Sequence, residues 1–270
     1  MLSPLLLIGR GTQGSCTVQR VIDLLLQWTS VLPTSVAYQL IDGAASRPGM
    51  DQKHHVQVSL NGCGADPKVG QTAFRRLYAI ILTAIEQQVL QLRSCHHVPC
   101  KLGPKELLTI WIVSGNGGSS GGMLQEVIDL CHDIARRLGI KKIRVNLLFL
   151  GPEMPLRDTT RSVTSEQELV VRQTAVSNFT RILRDHQSDA LLTITPPYDA
   201  PFSIPACQRI WRMMIIDQSN GVYDLPTVAD FTEMCALNLL GSIFTYSGIV
   251  TEDRYADHDG QGGTGRGRLS

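Results

Sequence analysis

The sequence predicts an α/β fold: a three-layer arrangement with a mostly parallel sheet between helices. Three observations carry this. Short apolar runs alternate with longer helical patterns along most of the chain, the order expected of repeated strand-helix units. Several junctions from strand to helix are dense in glycine, at 9–15, 61–70 and 114–122. The 270 residues, 43% hydrophobic and 18% charged, can bury the core of one large domain, or of one domain with a small appendage.

Taken in order, strands are expected over 5–8, 36–41, 56–60, 107–113, 143–150 and 190–194. Helices are expected over 16–29, 70–93, 123–138, 166–185, 204–218 and 227–246. The opening run Leu5-Leu6-Leu7-Ile8 superficially resembles a secretory signal. It lacks a basic leading segment and runs straight into a glycine motif, so it reads as a first buried strand. The connection around Cys95, His96, His97 and Cys100 invites a zinc reading. Adjacent histidines converge poorly on one ion and no second cluster accompanies them, so a plain loop is expected. The stretch 251–270, rich in glycine and poor in apolar anchors, is expected to be disordered.

Composition excludes some function classes. A net charge of +1 without a basic run gives no electrostatic footprint for nucleic acid. No apolar run approaches the roughly 20 residues that span a bilayer. Seven cysteines without a regular framework fit a reducing cytoplasm and a soluble protein.

The most informative stretch follows the fourth strand. Five glycines and three serines fall in the nine positions from Ser114 to Gly122. A tight turn needs one glycine. Several present bare N–H groups at a helix N-terminus, where unpaired donors and the helix dipole favour phosphate. The first loop, Gly9-Arg10-Gly11-Thr12-Gln13-Gly14-Ser15, is a literal G-x-G-x-x-G, and Asp42 ends the second strand as a ribose-binding carboxylate would. An NAD(P)-dependent oxidoreductase is therefore one reading. It leaves the other glycine loops unexplained, and the sequence offers no Tyr-x-x-x-Lys or comparable pair for the chemistry.

Over about residues 5 to 250 the chain resembles the tubulin/FtsZ superfamily of nucleotide-binding, filament-forming GTPases, particularly its bacterial tubulin-like branch. Gly9, Gly11, Thr12, Gln13, Gly14 and Ser15 are similar to that family's first loop, and Asp42 stands where its second begins. Gly62-Cys63-Gly64-Ala65-Asp66-Pro67-Lys68-Val69-Gly70 resembles G-x-G-A-x-x-P-x-V-G with one residue fewer between Ala65 and Pro67. Gly115 precedes the signature-like loop Gly117, Gly118, Ser119, Ser120, Gly121 and Gly122, in which Ser120 replaces a glycine and Gly121 a hydroxyl residue. Glu153 and Arg157 repeat an E-x-x-x-R spacing used for ribose and phosphate, a spacing that a solvated ion pair would also give.

The resemblance implies a Rossmann-like nucleotide-binding domain over 1–200, then a central helix, a catalytic-type loop and a further helix over 201–250. It implies GTP or GDP as ligand, accompanied by magnesium, and self-association as dimer or filament. Base contacts would fall to Tyr198, Asp199 and Gln208, although Asp199 also reads as an ordinary loop aspartate. Hydrolysis completed in trans would fall to Asp224 and Asp230, the carboxylates that could orient a water. Thr227 and Asp230 also read as a helix cap. No four-stranded activation domain follows residue 246, so a non-hydrolysing nucleotide-binding interaction module is the other reading of the same residues; a truncated chain would look alike.

Overall fold

Leu5–Arg10 forms β1, and it lies at the middle of the sheet because every residue in it is buried and apolar or small up to its last position. The computed structural model describes residues 4–43, 52–58, 66–94, 107–116, 118–152, 164–218 and 225–244, without the side chains of 118 and 119. The strands are β1, β2 (Val36–Asp42), β3 (His55–Gln57), β4 (Leu107–Ser114), β5 (Lys142–Leu150), β6 (Leu191–Ile194), β7 (Phe202–Pro205) and β8 (Arg212–Ile216). Six of them make one sheet in the order β3-β2-β1-β4-β5-β8, with every pairing parallel. The helices are α1 (Gly11–Thr29), α2 (Pro67–Arg76), α3 (Tyr78–Ser94), α4 (Gly118–Arg137), α5 (Ser165–His186) and α6 (Val228–Phe244).

Alternation along the central strands divides the interior in two, because successive strand side chains point to opposite faces. Leu6 and Ile8 join Ile110, Ile112, Leu147 and Phe149 beneath α3 and α4. Leu5 and Leu7 join Trp111, Val113 and Leu148 beneath α1 and α6, where Phe231, Cys235 and Leu239 pack on Val18 and Val21. Strands buried on both faces read as unbroken apolar runs, so these were visible in the sequence. Each fully buried aliphatic side chain contributes about 1.5–3 kcal/mol, enough for the layers to override weak local preferences.

The largest departure concerns residues 204–218. The helix expected there does not form. Instead β7 ends at Pro205, Ala206–Gln208 make a single 3-10 turn, and β8 pairs with β5 from Asn146 opposite Arg212 to Leu150 opposite Ile216. Met213-Met214-Ile215-Ile216 is a short apolar run that serves strand or helix equally well, and the open edge of β5 decides between them. Consequently the strand expected at 190–194 is not the sixth strand of the sheet: β6 pairs antiparallel with β7 in a separate hairpin. The helix expected over 70–93 is two, broken at Leu77. α1 and α4 each begin five residues earlier than expected, so most of the glycine positions in both loops belong to the helices' first turns.

Candidate functional site

The strand order reverses direction between β1 and β4, and open parallel sheets bind ligands outside the carboxyl ends of the strands at such a switch point. Arg10 and Ser114, the last residues of the two strands, are register partners there. α1 leaves from one strand toward one face, α4 from the other toward the opposite face, and their N-termini converge on the crevice. Neither helix has an acidic side chain in its first turn, and α1 has no side-chain cap. Two helices that start elsewhere are capped: Asp66 accepts from Lys68 N at 2.8 Å for α2, and Thr164 with Gln167 forms a capping box for α5. A helix N-terminus without an acidic side chain is one whose dipole suits an anion.

The glycines here divide by role. A Cβ on Gly14 would lie 2.2 Å from Val113 O, one on Gly9 2.7 Å from Gly14 O, and one on Gly122 1.9 Å from Pro67 O. Gly121 would meet Thr174 at 2.6 Å. These four glycines let α1 approach β1 and β4 and let α4 approach α2 and α5, so packing alone demands them. Gly11 is required by its φ of +63°. Gly115 is different, since its nearest neighbour would be Ser120 Oγ at an ordinary 3.6 Å. No packing reason explains why it is glycine.

Unsatisfied buried polar atoms gather at this edge. Among the described residues, Arg10 Nε, Gln13 Oε1, Asn116 Oδ1 and Gln218 Oε1 have no hydrogen-bond partner, and such atoms in a native fold call for an explanation. Asn116, 1% exposed, ties the loop to the neighbouring strand by donating from Nδ2 to Leu150 O at 2.6 Å. Gln218, just beyond β8, donates from Nε2 to Leu225 O at 2.8 Å. Next to it, Asp217 lies against Gly151 at the end of β5, where a Cβ would stand 2.1 Å from its carboxyl carbon. Asn116, Asp217 and Gln218 were not singled out from sequence. The misread helix hid the last two, and Asn116 was overlooked among the glycines around it.

Other predicted site residues have definite places. The Ser15 hydroxyl donates back to Gly9 O at 3.3 Å and is fully buried. Thr12 and Gln13 lie in the first turn of α1, half-buried. Asp42 is buried at the end of β2, and its charge opposes the desolvation that lowers the His55 imidazole below its ordinary pKa. Gly118 and Ser119 open α4, and Ser120 accepts at its carbonyl from Arg10 Nη2 at 2.7 Å. Asp230 sits in the first turn of α6, receiving the Thr227 hydroxyl at 2.6 Å and donating from its N–H to Thr227 Oγ1 at 3.1 Å, the reciprocal contacts of a cap. Gly62, Gly64, Ala65, Gly117, Glu153, Arg157 and Asp224 lie outside the described residues, as do Cys95, His96, His97 and Cys100. Among the described residues, no three His, Cys, Asp or Glu side chains converge as a metal site.

The residues expected to hold the base are not at this edge. Tyr198 stacks edge-on to Tyr78, with centroids 5.8 Å apart, and Asp199 pairs with Arg136 near the C-terminus of α4. Arg136 is eighteen residues beyond Gly118 in that helix, about 27 Å at 1.5 Å per residue. Gln208 belongs to the turn beside Arg209, whose guanidinium is clamped by Asp129, Asp185 and Gln125 of α4 and α5. The cause is the reassigned strand: 190–205 forms the side hairpin, whereas the end of β8 delivers Asp217 and Gln218 to the edge.

No family model and no curated protein matches the sequence. Solved structures do match in shape. CetZ from Methanosaeta thermophila aligns with a TM-score of 0.58 at 16% identity over 96% of this chain and 60% of its own. CetZ1 from Haloferax volcanii, described as a GDP-bound monomer, gives 0.55 at 15% over 92% and 63%. TubZ of Clostridium botulinum phage c-st gives 0.51 at 11% over 92% and 62%. The chain therefore spans less than two thirds of the length of these proteins. At such identities the likeness is one of fold, and it agrees with the strand order, the parallel registers and the helix-bearing switch point described above. The chain has the fold of the tubulin/FtsZ superfamily.

Proposed function

We propose that the carboxyl edge between β1 and β4 binds the phosphates of a guanine nucleotide. The observation that carries this reading is the convergence there of two helix N-termini free of acidic side chains on a loop whose Gly115 is not required by packing. The unpartnered Gln13 and Asn116 atoms are accepting oxygens, suited to a hydroxyl or a base N–H rather than to phosphate. Backbone N–H groups from the first turns of α1 and α4 would receive the phosphates. Asp217 and Gln218, at the end of the sixth strand of the sheet, replace Tyr198, Asp199 and Gln208 as the residues nearest to a base-reading position. A carboxylate and an amide can match the adjacent donors and acceptor of guanine. Support also comes from the likeness to a structure described as GDP bound. Magnesium would accompany the phosphates and neutralise their charge.

Hydrolysis and self-association extend this reading. Asp224 and Asp230 would orient water on the nucleotide of a second copy, and nucleotide occupancy would govern association between copies. Because Asp230 is engaged with Thr227 as a cap, Asp224 is the stronger candidate and Asp230 the weaker. The same engagement favours, as a second reading, an interaction module that binds nucleotide without turning it over. The test is extraction of nucleotide from the purified chain and titration with GTP, GDP, ATP and NADH in magnesium buffer. Guanine nucleotide bound at micromolar affinity or better is the expected result, and binding of NADH alone would overturn the proposal. Turnover by the chain and by Asp224→Ala, with sedimentation in GTP and GDP, then separates GTPase from module.

A further inference from the structure

Arg10 has no carboxylate within ion-pair distance among the described residues, although its guanidinium is fully buried. Its contacts are neutral oxygens: Nη2 donates to Ser120 O at 2.7 Å and Nη1 to Ser114 Oγ at 3.4 Å, while Nε has no acceptor. Burial pushes the group down to about 9, opposed by the charge of Glu126 and by Cys131. It is still a cation at neutral pH. Glu126 is itself occupied, accepting from the Gln71 amide.

The setting makes this more than a costly hydrogen bond. Ser120 lies in the first turn of α4, where the helix dipole already places about half a positive charge. A desolvated cation beside that terminus is repelled by it, and among the described residues only the Glu126 carboxylate, beyond ion-pair distance, offsets it in part. Natural folds keep buried cations paired, as Arg209 is here. An anion above the first turn of α4 would answer the dipole and Arg10 together. The donors it would meet are backbone N–H groups of the first turn of α4.

We infer that Arg10 is a charge-stabilising residue for a phosphate-bearing anion bound at the N-terminus of α4, acting from beneath the loop through the Ser120 peptide rather than from its surface. This rests on reading that edge as a phosphate site. It adds that the protein carries its own fixed cation there, and that the cation's burial is a cost in the unliganded chain which the ligand removes.

The experiment follows thermal unfolding of the full chain with increasing inorganic tripolyphosphate. Wild type is expected to gain on the order of 5 °C at a hundredfold excess over Kd. Arg10→Met, of similar length and uncharged, should melt no lower than wild type without the anion and should lose more than half of the gain. Arg10→Lys, keeping the charge, should retain most of it. A full wild-type gain in Arg10→Met overturns the inference and leaves Arg10 a structural tie to Ser120. Absence of any gain in wild type removes the phosphate reading and this inference with it. Should Arg10→Met not fold, arginine side-chain NMR on wild type decides: tripolyphosphate shifts the Arg10 Nε–H signal and spares that of Arg209, or the inference fails.

Discussion

Arg10 and Arg209 both pack against α4, one at its first turn and one midway along it, and both are at most 1% exposed. Around Arg209 every donor is used: Asp129, Asp185 and Gln125 surround it, and His132 contacts its carbonyl at 2.9 Å. Around Arg10 there are two neutral oxygens and an unused Nε. The same side chain is fully paired in one place and in the other meets no carboxylate within ion-pair distance among the described residues. A buried ion that is fully paired holds elements together, here the hairpin β6–β7 to α4 and α5, whereas Arg10 carries the charge that the proposed anion would answer.

Substitution should separate the two most sharply. Arg209→Met strands two carboxylates that are only partly exposed, and should lower unfolding free energy by about 3 kcal/mol, at the low end for a broken buried pair. Arg10→Met should leave the urea midpoint unchanged or raised, so equal losses at both sites would erase the contrast. The glycines offer the next test. Gly122→Ala drives a Cβ into the Pro67 carbonyl and should cost about 1–3 kcal/mol, whereas Gly115→Ala should fold normally and weaken nucleotide binding, read by urea unfolding and titration. A smaller change is expected from Asp66→Ala, about 1 kcal/mol through the lost cap of α2.

Protonation sharpens the comparison from the Arg209 side. Burial is the main cause holding the His132 imidazole below its ordinary value, so the unfolded chain binds its proton first as pH falls. Stability from this group is present above about pH 6.5 and declines below it. His132→Gln should flatten that part of the urea midpoint against pH profile. The least effect belongs to Asp199→Ala. Its carboxyl is held low mainly by the Arg136 guanidinium, but it lies on the surface far from the switch point. Guanine nucleotide affinity should not change, and a drop would restore Asp199 to the binding site.

Much of the fold was legible because burial on both faces writes itself as continuous apolar strands, and the amphipathic helices between them keep their period. The switch-point loops were legible as glycine density, although the structure divides those glycines into ones that packing requires, such as Gly14 and Gly122, and Gly115, which it does not. The segment that ends at Asp217 and Gln218 was not legible. Residues 204–218 were assigned to a helix by an apolar run with no period to contradict it, and that shift moved the expected contacts onto Tyr198, Asp199 and Gln208.

By itself, then, the sequence determined the alternation of layers and the position of the switch-point loops, since each is a local property of composition and spacing. Tertiary structure alone decided that Arg212–Ile216 is a strand, because only the unpaired edge of β5 selects between two conformations of similar local energy. It alone decided that Asp217 and Gln218 reach the carboxyl edge while Asp199 stays at the far end of α4. It also decided which of two arginines would be buried with partners and which without, since pairing over gaps of 80 and 24 residues leaves no trace in local pattern.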